Sequence, residues 1–206
     1  LTDAECEVLL ERDVSIAWAP AASMMWAHGG SFHGRHAELW RRGGNISLGS
    51  DSANWSNSFD LFRQANLAML TAREAHLDRT YLVAEDALEM ATRGGAQATG
   101  MADRIGSIEP GKRADLVIHT LDRPEIMPVT DLIRNLMYSS GSKSIRSVIV
   151  DGRVVLDDGC FTTLDEAEAL TRIGQASRAL LGRMGHRVEP NRVEPRPRQR
   201  GGAPAG

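Results

Sequence analysis

Residues 3–93 alternate between helical and strand patterns, an order that restricts a chain to an α/β fold with parallel strands. Residues 3–12 have helical spacing, with Val8 and Leu9 on the apolar side. They open on Thr2-Asp3-Ala4-Glu5, a capping box with Thr2 as the cap. Val14-Ser15-Ile16-Ala17-Trp18-Ala19 reads as a strand that Pro20 stops. Residues 20–36, rich in Gly, Ser, His and Met, read as one long loop; such loops are more often functional than idle. A short helix over 37–42 ends at Gly43-Gly44. Asn45-Ile46-Ser47-Leu48-Gly49-Ser50 reads as a buried strand, followed by a polar loop over 52–58. Residues 60–75 place Leu61, Phe62, Ala65, Ala68, Met69 and Ala72 at helical spacing, and a further helix over 84–93 is closed by Gly94-Gly95.

Beyond residue 105 the pattern changes. Ala114-Asp115-Leu116-Val117-Ile118 reads as a strand, and two β-branched runs, 147–150 and 153–156, flank Asp151-Gly152. Asp-Gly between such runs is a strong hairpin signal, so a small separate β unit is expected. Thr163-Leu164-Asp165-Glu166 has the form of a second capping box, opening a helix to about residue 184. The sequence thus divides into 1–105, 106–162, 163–184 and a tail, 185–206. The tail is Pro- and Arg-rich, cannot bury a core and is expected to be disordered.

A chain of 206 residues with 42% hydrophobic and 25% charged residues has the composition of a globular protein. A net charge of −3 gives no reason to expect nucleic acid or a membrane surface as partner. No apolar run approaches the roughly 18 residues of a membrane span, and no signal peptide is visible, so a cytoplasmic setting is the expectation. Cys6 and Cys160 lie far apart and show no metal-type spacing. Leu1 already stands inside a helix cap, so the sequence reads as the C-terminal part of something longer.

Asp51 is the residue that carries chemistry. It stands at the C-terminal tip of an apolar strand, where α/β barrels place groups that bind metals or move protons. His28, His33 and His36 are five and three residues apart in a loop and fit no standard zinc spacing. His33 is a better candidate for a pocket contact. Trp26, with Met24 and Met25, suits an apolar planar ring, and Asn54 and Trp55 beside Asp51 are candidate pocket walls. His76, His119 and His186 read as packed or surface residues.

Several motifs in fixed order resemble those of the amidohydrolase superfamily, in its branch of metal-dependent aminohydrolases: adenosine-analogue deaminases, guanine deaminase and s-triazine hydrolases. They are Ile46-Ser47-Leu48-Gly49-Ser50-Asp51 through Ser56-Asn57-Ser58-Phe59-Asp60-Leu61; Ala87-Leu88-Glu89-Met90-Ala91-Thr92-Arg93-Gly94-Gly95-Ala96; Ile105-Gly106-Ser107-Ile108-Glu109-Pro110-Gly111-Lys112-Arg113-Ala114-Asp115-Leu116-Val117; Pro124-Glu125-Ile126-Met127-Pro128-Val129; and Val150-Asp151-Gly152. The resemblance covers residues 1 to about 184. It implies an α/β fold: the last two strands of a (β/α)8 TIM barrel plus part of a small β-sandwich built from both chain ends. The missing partner would be the N-terminal half of the barrel, with the family's His-x-His pair and later histidine ligand.

The resemblance also implies the reaction. A divalent metal, zinc or alternatively iron, would activate water for attack on an sp2 carbon of a nitrogen heterocycle, with Asp51 as metal ligand and proton shuttle. The other ligands would lie outside this chain. Family members often carry Asn-Pro-x-Ser-Asn after strand seven; here Ala19-Pro20-Ala21-Ala22-Ser23-Met24 stands instead, so Ser23 is the remaining candidate contact there. The small heterocyclic substrate could lose ammonia by deamination, an amine by N-dealkylation, or chloride as in s-triazine dechlorination. The full-length enzyme is expected to be a homo-oligomer. The alternative is a non-catalytic fragment or partner subunit that needs another chain to complete its barrel, and the isolated chain is expected to be inactive.

Overall fold

The computed structural model describes residues 1–186. Most of the predicted tail, 187–206, lies outside the described residues. The architecture is mixed α/β, and the chain divides into two compact units, Leu1–Thr162 and Thr163–Gly206.

In the first unit, α1 (Asp3–Glu11) begins with the predicted capping box. Thr2 Oγ1 accepts the Glu5 amide, and Glu5 Oε2 accepts the Thr2 amide at 2.7 Å. β1 (Ile16–Trp18) and β2 (Ile46–Leu48) pair in parallel, with Trp18 opposite Leu48. Both strands therefore end on the same side. Between them lie α2 (Pro20–Met25), α3 (Gly30–His33) and α4 (His36–Arg41). The expected long loop over 20–36 is thus partly helical. Pro20, pre-set for a first helical turn, starts α2, and Gly29 at φ 74° separates it from α3.

After β2 come α5 (Ala53–Ser56), which interrupts the expected polar loop, and α6 (Leu61–His76). The helical spacing read from the sequence is realised in α6: Ala65, Ala68, Met69 and Ala72 are buried. They join Ile46, Leu48, Leu39, Leu82 and Met90 in the main core. Burying each large aliphatic side chain of that set contributes about 1.5–3 kcal/mol. Asp60 caps α6: its Oδ1 accepts the Phe62 and Arg63 amides at 2.9 and 3.3 Å, and its Oδ2 accepts Ser142 Oγ at 2.7 Å. Asp60→Ala removes both the cap and the tie to residue 142. It is expected to cost about 1–2 kcal/mol, read as a lowered midpoint in urea at unchanged slope; an unchanged midpoint would show the cap to be idle.

The helix α7 (Ala84–Glu89) does not stop at Gly94-Gly95 as its sequence suggests. It passes through a π-helical turn, Met90–Gly94, into α8 (Gly95–Ala98), and the left-handed residue is Gly100, at φ 67°. The reason is packing. Gly94 lies against β2, where a Cβ would come within 2.7 Å of the Ile46 carbonyl oxygen. Here glycine gives close approach rather than a helix end.

A four-stranded antiparallel sheet follows, β3 (Leu116–His119), β4 (Ile145–Val150), β5 (Arg153–Asp157) and β6 (Cys160–Phe161), in that order across the sheet. The predicted hairpin at Asp151-Gly152 is present, both residues left-handed at φ 50° and 78°. A second such turn, Asp158-Gly159 at φ 46° and 79°, adds the short β6. Between β3 and β4, α9 (Leu132–Asn135) leads through a π-turn and a 3-10 turn to β4.

The second unit holds α10 (Glu166–Arg183). Its cap is Asp165, whose Oδ1 accepts the Glu168 amide at 2.9 Å, rather than Thr163 as expected. Aspartate is at least as good a cap as threonine, so the helix starts two residues later. No helix among the described residues is long and apolar enough to cross a membrane.

Candidate active site

The parallel pairing of β1 and β2 delivers the segments that follow them to one side of the sheet. Gly49 continues the ladder, its amide donating to the Trp18 carbonyl at 2.9 Å, and two residues later the chain turns sharply at Asp51. Asp51 is left-handed, at φ 59°. That conformation is uncommon for a residue with a Cβ, though Asp and Asn adopt it most readily after glycine. The strand behind it is fixed by burial of Ile46, Ser47 and Leu48. The Asp51 side chain is exposed; among the described residues its hydrogen-bond donor is the Ser52 amide, at 2.6 Å to Oδ1. Ser52 Oγ in turn donates to Asn54 Oδ1 at 2.7 Å, which holds Asn54 beside the turn.

The segment after β1 meets the segment after β2 through aromatic residues. Trp26 Nε1 donates to the Trp55 carbonyl at 3.2 Å. The two indole rings lie 4.9 Å apart, tilted by 49°, and the His28 ring lies 5.8 Å from that of Trp55. The structure therefore gathers Trp26 and Trp55 and adds His28, whose sequence spacing from His33 and His36 fits no standard zinc pattern and gave it no other role. Ser23 is turned elsewhere: its Oγ accepts the Ser31 amide at 3.1 Å, tying α3 to α2. His33 is exposed on α3.

His36 sits in a third environment, stacked on Trp18 at 5.0 Å and nearly parallel. Burial holds its pKa below the ordinary 6.5, and burial does the same to His119, whose Nδ1 lies 2.8 Å from Ser144 Oγ. Burial thus favours the neutral form of both rings. The unfolded chain takes up protons first as pH falls, so their contribution to stability is complete above the unfolded value and lost progressively below about pH 6.5. The unfolding midpoint is expected to fall between about pH 7 and pH 5, and His36→Phe, which keeps the stack, should flatten part of that slope. An identical slope in the variant would remove His36 from the account.

Among the described residues no three His, Cys, Asp or Glu side chains group to hold a metal ion. Asp51 fits as one ligand of a larger set, and the residues of this chain do not complete it. Nor is the site a closed cavity. An apolar hollow of about 370 Å³ lies away from Asp51 between α6, the turn after α7, and β3, and Phe62, Val117 and Met137 are among the side chains lining it.

Comparison with known proteins places these features in a family context. Residues 5–155 match the model of the amidohydrolase family. A 5-methylthioadenosine/S-adenosylhomocysteine deaminase of Syntrophobacter fumaroxidans is 33% identical over 180 residues, 87% of this chain and 40% of that protein. The crystal structure of an adenosine deaminase from Xanthomonas campestris with bound zinc superposes with a TM-score of 0.84 at 32% identity, over 88% of this chain and 41% of that one. The structure of atrazine chlorohydrolase from Arthrobacter aurescens complexed with zinc gives 0.75 at 26% identity, over 88% and 39%. The chain therefore spans about 40% of the length of the relatives it matches.

Proposed function

This chain belongs to the amidohydrolase family, and we propose that it forms the C-terminal part of a metal-dependent aminohydrolase acting on a nitrogen heterocycle, with Asp51 as its catalytic carboxylate. In this reading β1 and β2 are the last two strands of a (β/α)8 barrel within residues 1–105. Residues 106–162 are a share of a β-sandwich, and 163–184 a terminal helix. The remaining strands and the histidine ligands come from outside residues 1–206. The observation that carries the reading is Asp51 itself: an exposed carboxylate, held in a left-handed turn at the end of a buried strand.

A divalent metal held in part by Asp51, zinc as in the deaminase and chlorohydrolase structures or alternatively iron, would supply a Lewis acid that makes water acidic near neutral pH. The rest is the work of this chain. One oxygen of Asp51 is oriented by the Ser52 amide. The carboxylate accepts the proton of the attacking water and returns it to the departing nitrogen, so that a C–N bond is replaced by C–O and ammonia leaves. Asn54 and His33 are proposed to touch the substrate's polar edge. Deamination of an adenosine-like ring is favoured over loss of chloride, because the deaminase relatives share more of this sequence than the chlorohydrolase does.

A second reading has one observation in its favour, the incomplete ligand set: the chain is a non-catalytic partner that completes another subunit. Co-expression with the complementary barrel segment of a relative decides between them. The hydrolase reading expects ammonia release from adenosine that a chelator abolishes and zinc restores. A folded, metal-replete complex without any release would support the second.

A further inference from the structure

Trp26 and Trp55 follow different strands, yet a hydrogen bond joins them and leaves both partly exposed. Trp26 is 51% exposed and Trp55 37%. The Trp26 N–H is already taken by the Trp55 carbonyl, so what this indole offers a ligand is its apolar ring faces. The 49° tilt makes a corner rather than a closed sandwich, and His28, 5.8 Å from Trp55 at 53°, extends it. Met24 and Met25, exposed on α2, add soft apolar surface to that helix.

The corner is held from behind. Helix α2 has no cap of its own: Ala19 offers no side-chain acceptor, and Pro20 has no N–H. The first free amide, that of Ala21, is accepted at 3.0 Å by Oε1 of Gln64. Gln64 is fully buried in the first turn of α6, and its Nε2 has no partner among the described residues. A buried glutamine with half its amide unsatisfied is costly. Here it supplies a missing helix cap from 43 residues away. α2 is thus fixed at its start by Gln64 and just past its end by the bond from Trp26 to Trp55. Aromatic surfaces held in place before binding lose little freedom when a ligand arrives.

We infer that Trp26, Trp55 and His28 form a preformed stacking corner for the planar base of a nucleoside-like ligand, with Gln64 as the positioning residue that sets it. The base lies on one indole face and the tilted second ring covers its edge. A sugar, with no π face and little apolar surface, gains much less there than a planar base. The inference rests on the proposed function only in taking that base to be the substrate ring.

The test uses the 206-residue chain with the complementary barrel segment of a relative, treated with chelator so that adenosine is not turned over, and follows indole fluorescence on titration with adenosine and with ribose. Adenosine is expected to quench saturably and ribose far more weakly at the same concentration. Trp55→Leu should weaken adenosine binding about tenfold or more, and Trp55→Tyr, which restores a ring, by much less. Trp26→Phe keeps a ring and breaks the link to residue 55; Gln64→Leu removes the cap. Each should weaken binding about threefold while the circular dichroism of the folded chain is kept. Should Trp55→Leu fail to fold, the Tyr, Phe and Gln64 variants decide alone. Quenching that never saturates, equal quenching by ribose, or folded variants that bind like the wild type would overturn the inference. Base binding without turnover in the completed barrel would leave the corner standing and remove the hydrolase reading; turnover indifferent to Trp55 would do the reverse.

Discussion

Replacing Asp51 by Asn is expected to lower ammonia release from the completed barrel by about 10²–10⁴-fold in kcat/KM, the range associated with a positioned acid–base group. The substitution is a clean one. Asn adopts the left-handed conformation of residue 51 as readily as Asp, and its side-chain oxygen still accepts the Ser52 amide. The side chain is exposed and buries nothing, so the unfolding midpoint should hold. What Asn lacks is a negative charge and a basic oxygen. It can neither take a proton from water nor hand one to a departing nitrogen. A variant that kept turnover within a few-fold of wild type would remove Asp51 from the chemistry and leave it a turn residue.

Gly94→Ala is expected to cost about 2–3 kcal/mol, because overpacking against backbone cannot be relieved by a rotamer change. The added methyl would stand 2.7 Å from the Ile46 carbonyl oxygen and 3.4 Å from Asn45 Oδ1. Asn45 itself bridges Ser15 Oγ at 2.8 Å and the Gly94 carbonyl at 3.2 Å, so the π-turn and both strands share one network. The helix must back away or β2 must shift. In a domain of this size the loss corresponds to a fall of about 4–12 °C in Tm. Because β2 leads directly to Asp51, activity in the completed barrel should fall as well. Gly95→Ala, where nothing lies within 4 Å of the new methyl, is the control and should be neutral or slightly stabilising. Equal midpoints for the two variants would mean that the close approach of helix and strand is not tight.

The two glycines show where the sequence was legible and where it was not. Local signals came through wherever one short segment settles its own geometry. The capping box at Thr2 and the Asp151-Gly152 hairpin depend on residues three apart or adjacent, and the buried face of α6 follows from its spacing. A pair of glycines after a helix is also a local signal, for a helix end, and here it misled. What Gly94 does is set by Ile46, a residue far back in the chain. The helices inside 20–36 were hidden for the same reason. α2 is capped by Gln64 and tied to α3 through Ser23, and none of these contacts is written in the segment's own pattern. Asp158-Gly159 was readable, being a second copy of the turn already recognised, but the strand it adds is two residues long.

The candidate site divides along the same line. Asp51 could be located because an apolar run ends just before it. Trp26 and Trp55 were each singled out by their own neighbours in sequence, but not as a pair, because their hydrogen bond spans 29 residues. Gln64 gave no sign, since a glutamine in an amphipathic helix reads as solvated until its backbone partner is seen. The chain's standing in the amidohydrolase family came from motif order, a property of the whole segment rather than of any one residue.

In the proposed function the Asp51 carboxylate becomes a metal ligand once the barrel is complete. A crystal of this chain with its complementary barrel segment, loaded with zinc and measured across the zinc absorption edge, tests it directly. An anomalous peak bonded to the Asp51 carboxylate at the C-terminal end of β2 is expected, with loss of that bond in Asp51→Ala. A peak held wholly by other residues, with Asp51 turned to solvent, would contradict it.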